Sequence, residues 1–74
     1  MECVNFSVVV FREGASFSAW CPDLDIADQG DTAEEAIANL REAIELHLEC
    51  LSPAELREIK SRGPRFVTSI EAIA

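Results

Sequence analysis

The chain has 74 residues, of which 49% are apolar and 27% are charged. Six basic and fourteen acidic residues give a formal net charge of −8, which repels phosphate backbones and favours a basic partner. Length and composition predict one small globular domain over residues 1–74, and they exclude a disordered chain and a coiled coil.

Cysteine usage and hydropathy predict a cytoplasmic protein. The three cysteines, Cys3, Cys21 and Cys50, include no Cys-x-x-Cys pair, so reduced thiols in a cytosol are expected. The longest apolar run, residues 8–11, is far shorter than the roughly twenty residues of a membrane helix. The start of the chain also lacks the basic flank of a signal peptide. We therefore expect neither export nor membrane insertion.

The first part of the chain alternates in a way that predicts antiparallel strands. Residues 4–12 are β-branched and aromatic, and a reversal at Glu13-Gly14 leads into a second strand, so a hairpin is expected over about residues 3–21. A weaker, short edge strand is predicted over 24–29. The alternation places Val9, Phe11 and Trp20 opposite the main core, which implies a second cover or a patch for another molecule.

The period changes to 3.6 at Thr32, which forms a capping-box pattern with Glu35 and predicts the start of a long helix of about twenty residues. Its apolar stripe comprises Ala33, Ala36, Ile37, Leu40, Ala43, Ile44, His47, Leu48 and Leu51. A second cap at Ser52, followed by Pro53, predicts a short helix to about Arg62. Residues 65–73 alternate again and predict a last strand.

The predicted order is therefore β-β-β-α-(α)-β. Such an order is typical of an α+β domain of two layers, in which a three- to four-stranded sheet is covered on one face by the long helix.

Residues 21–37 concentrate carboxylates and are the first candidate for a metal site. An EF-hand loop counted from Asp23 requires glycine at its sixth position, where this chain has Asp28. Calcium binding is therefore disfavoured. The stretch instead predicts a joint between strand and helix, where Asp31 and Glu34 favour the positive end of the helix dipole.

Three other chemistries are also disfavoured. A two-metal nuclease needs carboxylates about 4 Å apart on the central strand and its neighbours, and the strand at 4–12, interpreted as central, has no acid. His47 and Cys50 have ligand spacing on one helix, which is a weak zinc signal. Cys21 has no general base that the sequence brings near it. We expect no enzymatic activity, no cofactor and no metal.

One continuous motif covers residues 17–49. It begins as aromatic-x-Ala-x-Cys-Pro-Asp-Leu and continues as Gln-Gly-Asp-Thr and Glu-Glu-Ala-x-x-Asn-x-x-Glu-Ala. Its positions are Phe17, Ala19, Cys21, Pro22, Asp23, Leu24, Gln29, Gly30, Asp31, Thr32, Glu34, Glu35, Ala36, Asn39, Glu42 and Ala43. The motif resembles that of the HicB-like antitoxin family. This resemblance implies a partial ribonuclease-H-like domain without the catalytic acids of that fold.

The resemblance also implies a partner, since members of the family bind and neutralise HicA, a small basic toxin that cleaves mRNA. A charge of −8 suits such a partner. Many members continue into a helix-turn-helix or ribbon-helix-helix domain that binds the operator. The sequence ends at Ala74, so we expect no direct nucleic-acid binding by this chain.

The candidate contact residues combine acids with apolar anchors. They are Val9, Phe11, Trp20, Asp23, Asp25, Asp28 and Asp31. The alternative is a homo-oligomeric scaffold or small-ligand regulatory domain without a toxin. A dimer or larger assembly is expected in either case, because apolar groups lie on both faces of a sheet with one helix layer.

Overall fold

The computed structural model describes residues 4–62 and 68–73. Its elements are β1 (Val9–Glu13), β2 (Ser16–Cys21), β3 (Ile26–Gly30), α1 (Ala33–Glu49) and α2 (Pro53–Ser61). The strands form one antiparallel sheet in the order β1-β2-β3, and α1 packs on one face of it. The predicted α+β arrangement of two layers is confirmed.

The predicted hairpin between the first two strands is confirmed, with Glu13 paired to Ser16 and Val9 to Trp20. Gly14 adopts a φ of 61° in the turn, a left-handed conformation that glycine reaches without steric cost. β2 lies between β1 and β3. The interpretation of the first strand as central is therefore wrong for the described sheet, and the central strand, SFSAWC, also contains no acid.

The first strand begins at Val9 and is therefore shorter than the predicted 4–12. Its partner β2 ends at Cys21, and Pro22, which follows, has no N–H with which to extend the ladder. The amide of Ser7 instead donates to Asp23 Oδ2 over 2.8 Å. The third strand also begins later than predicted, at Ile26, because a turn occupies the residues before it.

Both helices begin at the predicted caps. Thr32 Oγ1 accepts from the amide of Glu35 over 3.1 Å, while the Glu35 carboxylate accepts from the amide of Asp31 over 3.2 Å. At α2 the capping box is complete: Ser52 Oγ accepts from the Glu55 amide, and Glu55 Oε1 accepts from the Ser52 amide, both over 3.2 Å. These bonds satisfy amides that the first turn of a helix leaves unpaired.

The core lies between the sheet and α1. Its fully enclosed members are Ala19, Cys21, Ala36, Leu40 and Ile44. Leu40 is 1% exposed. Partly buried apolar residues close the edges of this cluster: Phe6, Val8, Phe17, Leu24, Ile26 and Leu48.

The last strand, predicted over 65–73, lies partly outside the described residues. Residues 68–73 form neither strand nor helix, and Ile70 and Ile73 are almost fully exposed. The strand prediction is therefore wrong for 68–73, since an alternating pattern forms a strand only where a neighbouring strand accepts its hydrogen bonds.

Candidate functional site

The two faces of the sheet differ in what covers them. One face, called the helix face here, carries Ala19 and Cys21 under α1. The strand register places a second set of side chains on the opposite side, called the open face. These are Val9, Phe11, Glu13, Ser16, Ser18, Trp20, Ala27 and Gln29.

The three apolar residues predicted from the sequence lie together on the open face. Val9 is the cross-strand partner of Trp20, and Phe11 follows Val9 two positions along β1. Phe11 is 42% exposed and Trp20 is 37% exposed. The open face therefore presents two large aromatic side chains, of the kind enriched at protein interfaces.

A polar network lies beside these aromatic residues. Glu13 Oε2 accepts from Ser18 Oγ over 3.0 Å and from Gln29 Nε2 over 3.5 Å. The network borders a hollow of about 430 Å³, which is lined by Phe11, Glu13, Ser18, Ala27, Asp28 and Gln29. Ser18 of β2 and Gln29 of β3 thus hold the Glu13 carboxylate of β1 on the open face.

The charged groups at the open face are acidic. Glu13 faces that side, and Trp20 Nε1 donates to Asp25 Oδ1 over 3.0 Å, which holds a second carboxylate against its edge. The single basic residue of the three strands, Arg12, faces the helix side, where its guanidinium lies 5.6 Å from the centre of the Phe17 ring. The open face therefore combines aromatic and acidic groups with no basic strand residue.

Two of the four predicted aspartates have structural contacts in the turn between β2 and β3. Asp23 Oδ2 accepts from the amide of Ser7, and Arg62 Nη1 donates to the carbonyl of Asp23 over 3.0 Å. Asp25 has a φ of 54°, which is uncommon outside glycine but is tolerated by aspartate and asparagine. Asp25 thus borders the open face, whereas Asp23 joins the turn to the start of the chain and the end of α2.

The other two aspartates do not share the open face with the aromatic residues, although Asp28 also lines the hollow. Asp28 is the partner of Ala19 in the ladder, which places its side chain on the helix side of β3, and its Oδ1 accepts from the amide of Gln29 over 2.8 Å. Asp31 is exposed just before α1. The predicted contact set is therefore divided. Val9, Phe11, Trp20 and Asp25 lie together at the open face, and Asp28 borders the hollow with its side chain on the helix side.

The residues considered for metal or nucleophilic chemistry are separated by their burial. Cys21 is fully buried on the helix face, while Cys50 is exposed at the end of α1. His47, predicted on the apolar stripe of α1, is exposed. Within residues 4–62 and 68–73, no three His, Cys, Asp or Glu side chains are grouped so as to hold a metal ion.

A second concave surface lies on the helix side. A groove of about 520 Å³ runs between residues 4–8 and α1, with apolar walls that include Phe6, Ile37 and Leu48. Ile37 is 38% exposed there, because α1 lies mainly over β3 and β2 and less over β1.

Glu55, at the start of α2, has a shifted pKa. Hydrogen bonds with the side chain and then the backbone of Ser52 lower the pKa of its carboxyl.

Sequence reasoning missed Glu13, Ser18 and Gln29 as members of the site. The alternation of side chains along each strand is the signal that places them with Phe11 and Trp20, because residues two positions apart face the same side. Their mutual hydrogen bonds follow only from the strand register, because Gln29 is sixteen positions from Glu13.

One known protein is similar to this chain over most of its length. The UPF0150 protein ssr1765 of Synechocystis sp. is 47% identical over 52 residues. The chain is a homologue of this UPF0150 protein. The matched segment covers 68% of the chain and 66% of the UPF0150 protein, just under two thirds of the latter, and the UPF0150 name states no substrate or partner.

The other comparisons found no match. No family model matches the chain, and no solved structure is significantly similar to it. Among the described residues, neither helix is both long enough and apolar enough to cross a lipid bilayer.

Proposed function

We propose that this chain is a HicB-like antitoxin module that binds a small basic ribonuclease of the HicA type and silences it by covering its RNA-binding surface. The proposal includes a cytoplasmic location and no catalytic activity of the chain itself. The contact surface is the open face, with Trp20, Phe11 and Val9 as apolar anchors and with Glu13 and Asp25 as the nearest charges.

The observation that carries the proposal is the composition of the open face. Aromatic residues and carboxylates lie side by side, and the one cation of the strands, Arg12, lies on the other side of the sheet. An RNA-cleaving protein must attract phosphates and is therefore basic on its working surface. The open face is acidic and therefore complements the charge of such a surface, and its aromatic residues are of the kind enriched at interfaces.

Two further facts support the proposal. The motif over residues 17–49 resembles that of HicB-like antitoxins, and the net charge of −8 makes association with a basic partner fast and salt-dependent. The homology to a UPF0150 protein is consistent with a HicB-like protein. The antitoxin role itself rests on the motif resemblance and on the open face.

The direct test is reconstitution with a small basic HicA-type ribonuclease, such as one encoded beside this gene. Mixing the two proteins should give a complex that survives gel filtration and stops RNA cleavage. The Trp20→Ala variant should bind at least tenfold more weakly, while Leu46→Ala, which removes a 57% exposed side chain of α1, should bind like the parent. Failure of the parent protein to bind, or RNA hydrolysis by the purified chain with magnesium, would contradict the proposal.

A homo-oligomeric scaffold is the second candidate, and the exposed aromatic residues of the open face are the observation that favours it. Self-association would bury the same surface. Both candidates predict a multiple of the 8.1 kDa chain in light scattering, so the response to a basic ribonuclease separates them. A scaffold should be dissociated by Trp20→Ala and should keep its mass when a basic ribonuclease is added.

A further inference from the structure

The hollow on the open face has a fixed geometry at one end of β1. Glu13 and Phe11 lie two positions apart on one strand and therefore face the same side, about 7 Å apart along it. Ser18 forms the floor beside them and is 4% exposed. A planar cation placed over the Phe11 ring would lie in the same hollow as the Glu13 carboxylate.

The two oxygens of Glu13 are used differently. Oε2 accepts from Ser18 Oγ and from Gln29 Nε2, whereas Oε1 accepts from no described residue. The carboxylate of this exposed residue is thus held through one oxygen, and the other oxygen has no hydrogen-bond partner among the described residues. Such preorganisation lowers the side-chain entropy that a bound partner would otherwise have to remove.

The chemistry of the hollow selects a planar cation. A ring face attracts a cation placed above it, and guanidinium is the more frequent partner because it is planar and weakly hydrated. Its five donors also match separated acceptors, and here Glu13 and Gln29, which both carry side-chain oxygens, line the same hollow as Phe11. An ammonium group is more strongly hydrated and is a poorer fit to such a surface.

We propose that Glu13, Phe11 and Gln29 form a socket for one arginine side chain of a basic protein partner. The inference rests on the proposed function, because it names the feature of the basic ribonuclease that the open face recognises. It makes Glu13, rather than the aspartates near the strand-to-helix joint, the carboxylate that determines which partner binds.

The socket is tested without knowing the partner by titrating the ¹⁵N-labelled protein with N-acetylarginine amide in low salt. The amide signals of Phe11, Ser18 and Gln29 should shift together. N-acetylcitrulline amide, which has the same shape but no charge, should produce no such shift. Glu13→Gln should weaken the arginine response about fivefold, since an exposed ion pair contributes modestly. Glu42→Gln, which removes the same charge from an exposed position of α1, should leave the response unchanged.

A second variant guards against loss of folding. Phe11→Leu keeps an apolar side chain and removes the ring, and it should also reduce the response to arginine while the amide spectrum stays dispersed. Equal shifts with citrulline overturn the inference, as do shifts spread over α1 that Glu13→Gln leaves intact.

The same variants separate the socket from the proposed function. If a basic ribonuclease binds Glu13→Gln as tightly as the parent but loses affinity for Trp20→Ala, then the socket is wrong and the function stands. If arginine shifts the three amides and no basic ribonuclease binds, then the socket stands and the function is wrong.

Discussion

The two faces of the sheet are built from alternate residues of the same three strands, yet they have opposite properties. On the helix face Ala19 and Cys21 are fully buried under Leu40. On the open face Phe11 and Trp20 keep more than a third of their surface exposed. The helix face therefore stabilises the domain, while the open face leaves large apolar side chains exposed.

This division predicts that substitutions on the two faces act on different quantities. Changes on the helix face should lower the free energy of unfolding, because burial of apolar area is the main stabilising contribution in so small a domain. Changes at the exposed aromatic residues of the open face should lower affinity for a partner and cost less unfolding free energy than changes in the core, since part of each side chain already contacts water.

The largest effect is expected for Leu40→Ala, which opens a cavity where α1 contacts the sheet. Truncating a fully buried leucine costs about 2–5 kcal/mol, a large part of the total stability of a small domain. Urea unfolding followed by circular dichroism measures it. Leu46→Ala, on the exposed side of the same helix, is the matched control and should cost less than about 1 kcal/mol. Equal losses in the two variants would contradict the placement of the core.

Trp20→Ala should have the next largest effect, and on a different quantity. Aromatic anchors at the centre of an interface contribute about 2 kcal/mol or more to binding, so the dissociation constant for a basic ribonuclease should rise at least tenfold in calorimetry. The loss of unfolding free energy should be smaller than in Leu40→Ala, because 37% of the Trp20 surface is already exposed in the fold. A Trp20→Ala protein that loses stability and keeps its affinity would reverse the roles of the two faces.

Gly30→Ala tests the contact between the end of β3 and the start of α1. A Cβ at this position would lie 2.5 Å from the amide nitrogen of Ala36, so strand and helix must separate, at a cost of about 1–3 kcal/mol. Gly14→Ala is the contrasting variant, because a Cβ there meets no atom within 4 Å. Its cost should come from the φ of 61° alone, about 1 kcal/mol. A neutral Gly30→Ala would contradict the close approach of α1 to the sheet.

The smallest effect concerns α2, which lies outside both faces. The pKa of the Glu55 carboxyl is held below its usual 4.5 by hydrogen bonds with Ser52. A carboxyl with a lowered pKa stabilises the folded form above its unfolded pKa, and this contribution is lost as the pH falls through the folded value. The helical signal of residues 53–61 should therefore weaken in acid.

Ser52→Ala should raise the pKa of Glu55 towards its usual value and cost about 1 kcal/mol of helix stability through loss of the cap. An NMR titration of the Glu55 carboxyl measures the first effect. Ser61→Ala, at the other end of α2, should leave the titration midpoint where it is. A midpoint that does not move in Ser52→Ala would show that the capping box does not set this pKa.

Much of the fold follows from local patterns in the sequence. Thr32 and Ser52 mark the starts of the two helices because their hydroxyls satisfy unpaired amides, and this chemistry depends on residues only three positions apart. The alternation of β1 and β2 likewise places Phe11 and Trp20 on one face. Both features are local, and for that reason they could be predicted.

Other features depend on contacts between distant residues and could not be predicted. The start of β1 is limited by Pro22, and the Glu13 carboxylate becomes part of a site only because β2 and β3 bring Ser18 and Gln29 to it. Asp23, predicted as a contact residue, also accepts a hydrogen bond from the amide of Ser7, which the sequence did not indicate. A cluster of acids in the sequence therefore did not reveal which carboxylate faces the open side.

The most direct test of the proposed function uses the indole of Trp20, the one tryptophan of the chain. Its N–H donates to Asp25 on the open face, so it gives a single, isolated signal in a ¹⁵N spectrum. When an equimolar basic HicA-type ribonuclease is added, this signal should shift or broaden, while the amide of Glu42 on the outer side of α1 stays in place. A complex in which the α1 amides move and the indole does not would contradict binding through the open face.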